Sequence, residues 1–157
     1  MRMSNFVVKD AIIPSLTNVT KEGVIREMVR SLHSAGYFHE CDIEDIVKSV
    51  LRREQLGSTG IGRNIAIPHS RHSSADRLIG TLALSTEGIA FESIDGAPVY
   101  IFVLLVSPQD QPGVHLRALE NVVRTMRDDN FIKNLRNATT RESIWQLIDE
   151  AQPQWER

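Results

Sequence analysis

The feature that most limits what this chain can fold into is the unbroken apolar run Val99-Tyr100-Ile101-Phe102-Val103-Leu104-Leu105-Val106. A strand with one wet face alternates apolar and polar residues, whereas a continuous run needs cover on both faces. Asp95-Gly96 before it and Ser107-Pro108 after it are turn signals, so the run predicts one strand, central in a sheet with layers packed above and below. The remainder of the chain must supply those layers.

It does so with helical patterns on both sides of the strands. Thr20 is a plausible N-cap for a helix whose stripe is Val24, Ile25, Met28, Val29 and Leu32, with Gly36 as its stop. Asp42 predicts the cap of a second helix with Ile43, Ile46, Val47, Val50 and Leu51 on its apolar face and Gly57 at its end. Gly57 to Asn64 reads as a Gly-rich loop, Ile65-Ala66-Ile67 as a short buried strand halted by Pro68, and Ile79 to Leu84 as another strand. After Pro112-Gly113, Leu116, Leu119, Val123 and Met126 predict a helix from about Val114 to Arg127. The capping-box spacing of Thr139 and Glu142 opens a last one that buries Ile144, Leu147 and Ile148. The expected fold is α/β: a single-domain sandwich of residues 1–157, core about 6–151, with a mixed sheet of about five strands flanked by helices on both faces.

Composition removes several functions. A net charge of -2 with 24% charged residues gives no basic field for nucleic acid. Cys41 is the single cysteine, so no disulfide framework or multi-thiolate metal site can be built within the chain, and a reducing cytoplasm fits. No segment reaches the roughly 20 apolar residues of a membrane span, and the N-terminus lacks the apolar run of a signal peptide, so direct membrane insertion is not expected.

Chemistry must then come from the five histidines. His33 falls within the first helix and His39 in the loop after it, with no charge partner or phosphate cradle in the neighbouring sequence. His72 stands three residues from His69, but no carboxylate or thiolate nearby in sequence completes a metal site with them. His69 is different: a Gly-rich loop, a short strand and a proline place it at the carboxyl end of a strand, where open α/β sheets hold their ligands. A neutral imidazole can take a phosphoryl group covalently without a separate base, and that transfer needs positive charge and donors around the phosphoryl oxygens. Arg53, at a helix end beside the loop, offers a guanidinium fork suited to phosphate, although a helix-end arginine is commonly no more than a solvated cation. His115, in the first turn after Pro112-Gly113, can donate a hydrogen bond to an anion there. No dinucleotide turn, nucleotide P-loop or nucleophile elbow accompanies them.

These residues carry a resemblance. Arg53-Glu54 followed by Gly57-Ser58-Thr59-Gly60-Ile61-Gly62-Arg63-Asn64-Ile65-Ala66-Ile67-Pro68-His69 resembles the segment around the phosphorylated histidine of the IIA domain of the bacterial phosphoenolpyruvate-dependent sugar phosphotransferase system, fructose/mannitol class. Val103 to Pro108, continuing to His115-Leu116, is similar to that family's strand, loop and helix bearing a second active-site histidine. The resemblance covers nearly the whole chain and implies a phosphotransferase: His69 as the phosphoryl acceptor at Nε2, Arg53 and His115 steadying the group, and no cofactor or metal. It implies an HPr-like phosphocarrier protein as donor and a IIB component as acceptor in sugar uptake. Alternatively, as in the nitrogen-regulatory IIA-like subgroup that the loop Gly57 to Gly62 resembles, a regulatory target protein reads the phosphorylation state. A third alternative is a scaffold of the same fold that is never phosphorylated. Two positions depart from the family pattern: Ser70 stands where a glycine or another very small residue is usual, and Arg63 adds charge to the loop. Ile61, presented between Gly60 and Gly62, is the expected apolar contact for a partner.

Overall fold

The computed structural model describes residues 1–151, so the last six residues of the expected 1–157 unit lie outside the described part. The element order is α1 (Lys21–Ser34), α2 (Ile43–Gln55), β1 (Gly60–Gly62), β2 (Ile65–Ala66), β3 (His69–His72), β4 (Ile79–Ile89), β5 (Val99–Pro108), α3 (Pro112–Thr125), α4 (Asp129–Asn137) and α5 (Arg141–Glu150).

Strand β5 is the centre of the sheet. On one edge it pairs in parallel first with β2 (Ile65 opposite Ile101) and then with β3 (His69 opposite Leu105), while on the other it pairs antiparallel with β4. β1 closes a hairpin onto β2, and Val7 and Ile13 make single bridges along β4. Alternate β5 side chains feed two cores. Phe102, Leu104 and Val106 pack with α1 and α2, whereas Ile101, Val103 and Leu105 pack with α3, α4 and α5. The expected α/β architecture, a mixed five-strand sheet with helices on both faces, is what the chain adopts. Truncating a side chain such as Leu104 to Ala costs about 2–5 kcal/mol at a site this enclosed.

Several boundaries differ from the sequence reading, each for a local reason. Ser107 and Pro108 continue β5 instead of ending it, because β3 pairs with them on its edge through Arg71 and His72. Within the segment expected as a Gly-rich loop, Gly60–Gly62 forms β1 and folds back on β2, the short strand that Ile65-Ala66-Ile67 predicted. Arg63 and Asn64 turn the hairpin with φ of 57° and 69°, the sign a two-residue type I′ turn requires. Gly60 is obligatory there, since a Cβ would collide with the Ser93 side chain. His69 begins β3 instead of lying beyond the last paired residue. The cap of α5 is Thr140 with Ser143, not Thr139 with Glu142, and Asp42 makes no side-chain cap on α2. Helix α4 was absent from the sequence reading; Asp128 caps it by accepting from the Asn130 and Phe131 N–H groups, and Phe131 and Leu135 bury its single stripe.

Candidate functional site

The start of β3, the last turns of α2 and the first turn of α3 surround an open cleft of about 370 Å³ whose lining includes Ser49, Arg53, His69, Ser70, Arg71 and His115. The three residues singled out from sequence, on three different elements, therefore share one cavity. His33 and His39 lie outside it. His33 does have a charge partner that the sequence did not reveal, since its Nε2 is 3.1 Å from the Glu40 carboxylate. The Asp45 carboxylate is 2.5 Å from the Nε2 of His72, so His72 also has an acidic neighbour from a distant turn of α2. Among the described residues no group of His, Cys, Asp or Glu side chains is arranged to hold a metal.

His69 is built by its own backbone. Its Nδ1 lies 2.7 Å from the carbonyl oxygen of Ile67, which can only accept, so Nδ1 carries the proton and Nε2 keeps the lone pair. Pro68 favours this geometry because it fixes φ and donates nothing into the sheet. Burial is the largest influence on the ring and lowers its pKa below 6.5; the Ile67 hydrogen bond opposes this, the Arg53 charge adds to it and Glu54 opposes it. At neutral pH the imidazole is therefore uncharged, with its lone pair at Nε2.

His115 faces it, with ring centroids 5.2 Å apart and planes tilted by 54°. Burial first, then His69 and the Arg71 guanidinium, push His115 down to about 4, so it too is neutral at pH 7. Its Nδ1 lies 2.6 Å from the Oγ of Ser107. Arg53 supplies the nearby positive charge. Its Nη1 donates to the Gly57 carbonyl at 2.8 Å, which holds the guanidinium across the end of α2 and leaves further N–H groups for an anion.

Behind the cleft, Glu54 fixes the approach of the β1 segment. It is buried, accepts from the Thr59 N–H at 3.0 Å and from the Thr59 hydroxyl, and pairs with Lys21 at 3.1 Å. Ser70 turns its hydroxyl away from the solvent onto α2, 2.5 Å from the Oγ of Ser49. The position that departs from the family pattern thus packs beneath the site. Arg63 does not point its charge at the cleft either: Nη1 donates to the Met126 carbonyl at 2.9 Å and Nη2 pairs with Asp129. Ile61 is only half exposed and packs against the α3 side of the core, whereas Leu116, next to His115, is 62% exposed.

Sequence reasoning missed Ser49, Ser107 and Arg71. Ser49 had a signal: it lies four residues before Arg53 on α2 and so shares its face. Ser107 was read as a turn residue, and nothing local marks its contact with His115.

Comparison with known proteins finds relatives over most of the chain. Over 148 residues the chain is 30% identical to a nitrogen regulatory protein of Bradyrhizobium diazoefficiens, covering 94% of this chain and 95% of that one. It is 29% identical over 150 residues to the fructose-specific EIIABC component of the Bacillus subtilis phosphotransferase system, covering 96% of this chain but 23% of that longer protein. The crystal structure of nitrogen regulatory protein IIA-Ntr from Neisseria meningitidis superposes with a TM-score of 0.82 at 23% identity, covering 93% of this chain and 98% of that one. The IIA mannitol structure from Escherichia coli gives 0.74 at 21% identity, covering 90% and 98%. Residues 5–151 match the family model described as phosphoenolpyruvate-dependent sugar phosphotransferase system, EIIA 2, and the chain belongs to that family.

Proposed function

We propose that the chain works as one IIA-like phosphocarrier domain in which Nε2 of His69 accepts a phosphoryl group from an HPr-like protein and passes it on. The observation that carries this reading is the His69 imidazole with Nδ1 tied to the Ile67 carbonyl, its Nε2 lone pair left for a cleft shared with Arg53 and His115. In the transfer, the Nε2 lone pair forms the new N–P bond as the donor's bond to phosphorus breaks and its electron pair returns to the donor. With Nδ1–H retained, the ring becomes positively charged as the N–P bond forms, its Nδ1–H still donates to the Ile67 carbonyl, and the Arg53 guanidinium offsets the negative charge on the phosphoryl oxygens. The return step is the same displacement with the acceptor's nucleophile attacking phosphorus. For a transport role the acceptor is a IIB component, a pairing that a solved Escherichia coli complex of IIA mannitol with phosphorylated IIB mannitol illustrates for its own proteins.

A regulatory role, in which His69 phosphorylation controls binding to another protein, is favoured by the similarity over most of the chain to nitrogen regulatory proteins, including one of Pseudomonas aeruginosa at 31% identity. Both roles need the same first step. Incubation with phosphoenolpyruvate, enzyme I and HPr is expected to place one acid-labile, base-stable phosphoryl group on the protein, and His69→Ala should carry none. Discharge of that label by IIB proteins of the fructose/mannitol class separates transport from regulation. Retained labelling in a folded His69→Ala protein contradicts the proposal, and a parent protein that takes no label supports the scaffold alternative.

A further inference from the structure

Ser107 lies in β5 opposite Arg71 of β3, with no exposure to solvent. Its Oγ is 2.6 Å from the Nδ1 of His115, and among the described residues this is the hydrogen bond its side chain makes. Two proton arrangements fit that distance. In one, the Ser107 hydroxyl donates to Nδ1 and the ring proton sits on Nε2. In the other, Nδ1–H donates to Oγ, and the hydroxyl proton is left in the interior without an acceptor.

Buried hydroxyls are almost always satisfied, and an orphaned one is unfavourable, so the first arrangement is preferred. It also leaves the ring's remaining N–H without a partner among the described residues, on a half-buried residue that lines the cleft, so that water or an anion there can accept from it. Because His115 is neutral at pH 7, it has one N–H to place, and its position decides whether the ring is a donor or an acceptor toward the cleft.

We propose that Ser107 is a positioning residue: its hydroxyl holds His115 as the Nε2–H tautomer and makes an uncharged histidine a hydrogen-bond donor to the phosphoryl group on His69. This rests on the phosphocarrier reading and adds to it the device that sets the chemistry of the second histidine. The two rings are then complementary. The Ile67 carbonyl gives His69 an Nε2 lone pair, and the Ser107 hydroxyl gives His115 an Nε2–H, with 5.2 Å between their centroids. A neutral donor also suits a relay, since no imidazolium has to lose its proton when the phosphoryl group departs.

The test reads the tautomer directly. Long-range 1H–15N spectra of the unphosphorylated protein at pH 7 assign the proton on His115 in the parent, in Ser107→Ala and in Ser107→Thr. Phosphorylation of each by the small donor phosphoramidate is timed in parallel. The parent and the threonine variant are expected to hold Nε2–H. The alanine variant should lose this single fixed form and show exchange between the two tautomers, and it should accept a phosphoryl group about tenfold more slowly, the effect of one ordinary hydrogen bond. An Nδ1–H tautomer in the parent overturns the proposal whether or not the variants fold. So does an alanine variant, folded by circular dichroism, with unchanged tautomer and rate. A parent with the expected tautomer that no donor phosphorylates supports the Ser107 assignment and counts against the carrier reading instead.

Discussion

His69 and His115 differ in what their Nδ1 atoms touch, a carbonyl in one case and a hydroxyl in the other, and that difference gives one cleft two distinct histidines. Removal of either electrostatic aid should slow transfer without unfolding the protein. Arg53→Ala and His115→Ala are expected to lose about 10²–10³ in phosphorylation rate, the usual effect of deleting one donor from a preorganised site, with unchanged circular dichroism. Rates within a factor of about two would make both residues bystanders. The depressed pKa values also predict a pH dependence of stability. An unfolded chain protonates His115 below its ordinary value of 6.5, whereas the folded protein resists down to about 4. The unfolded state therefore binds the extra proton throughout that window, and stability should fall as pH drops from 6.5 toward 4, with no contribution from this group above 6.5. Urea titrations should show a shallower acid loss in His115→Gln. At this scale the sequence was legible where a motif held its chemistry in consecutive residues, as Ile65 to His69 does. Ser107 was illegible because its partner is eight residues away, across a turn and a helix start.

Helix α2 and strand β3 meet along a polar seam that positions the site. Asp45, Ser49 and Arg53 follow at four-residue intervals on α2, and they reach His72, Ser70 and the surroundings of His69 in turn. The Ser74 N–H donates to Nδ1 of His72, so the Nε2–H of His72 donates to Asp45, and that bond is the largest cause of the lowered Asp45 pKa. A carboxylate with a depressed pKa stabilises the fold above its ordinary value of 3.8, and the benefit disappears as pH falls through the lowered one. Asp45→Ala is expected to lower Tm at pH 7 and to lose most of that difference in strong acid. Glu54 anchors the other side of the seam. Glu54→Ala leaves Lys21 and the Thr59 N–H without their buried carboxylate, and a loss of about 3 kcal/mol, or roughly 6–12 °C in Tm, is expected by calorimetry. The apolar stripes of α1, α2 and α3 could be read from spacing because each has several turns to repeat. α4 offers one stripe of two buried residues, β1 is a three-residue arm of a hairpin with β2, and β3 exists through pairing with the distant β5, so no local period announces them.

At the scale of the whole molecule, the layered architecture was already implicit in the eight-residue run of β5, whose two sets of alternating side chains demand two helical layers. The anchoring of Ile61 was not. Ile61 is tied into the core, so Ile61→Asp should lower thermal stability and impair phosphorylation by protein and small donors alike. Leu116 stands exposed beside His115, and Leu116→Asp should weaken phosphorylation by HPr while leaving reaction with phosphoramidate within about twofold, as expected for a small transient interface. The central claim, that this fold exists to place one nucleophilic nitrogen in an anion-compatible cleft, is tested most directly by locating the phosphorus atom. NMR of the 15N-labelled protein after phosphorylation by phosphoenolpyruvate, enzyme I and HPr should show a single phosphoramidate with its N–P coupling at Nε2 of His69. A phosphoryl group at Nδ1 of that ring, on His72 or His115, or on the hydroxyls of Ser49 or Ser70 would contradict it.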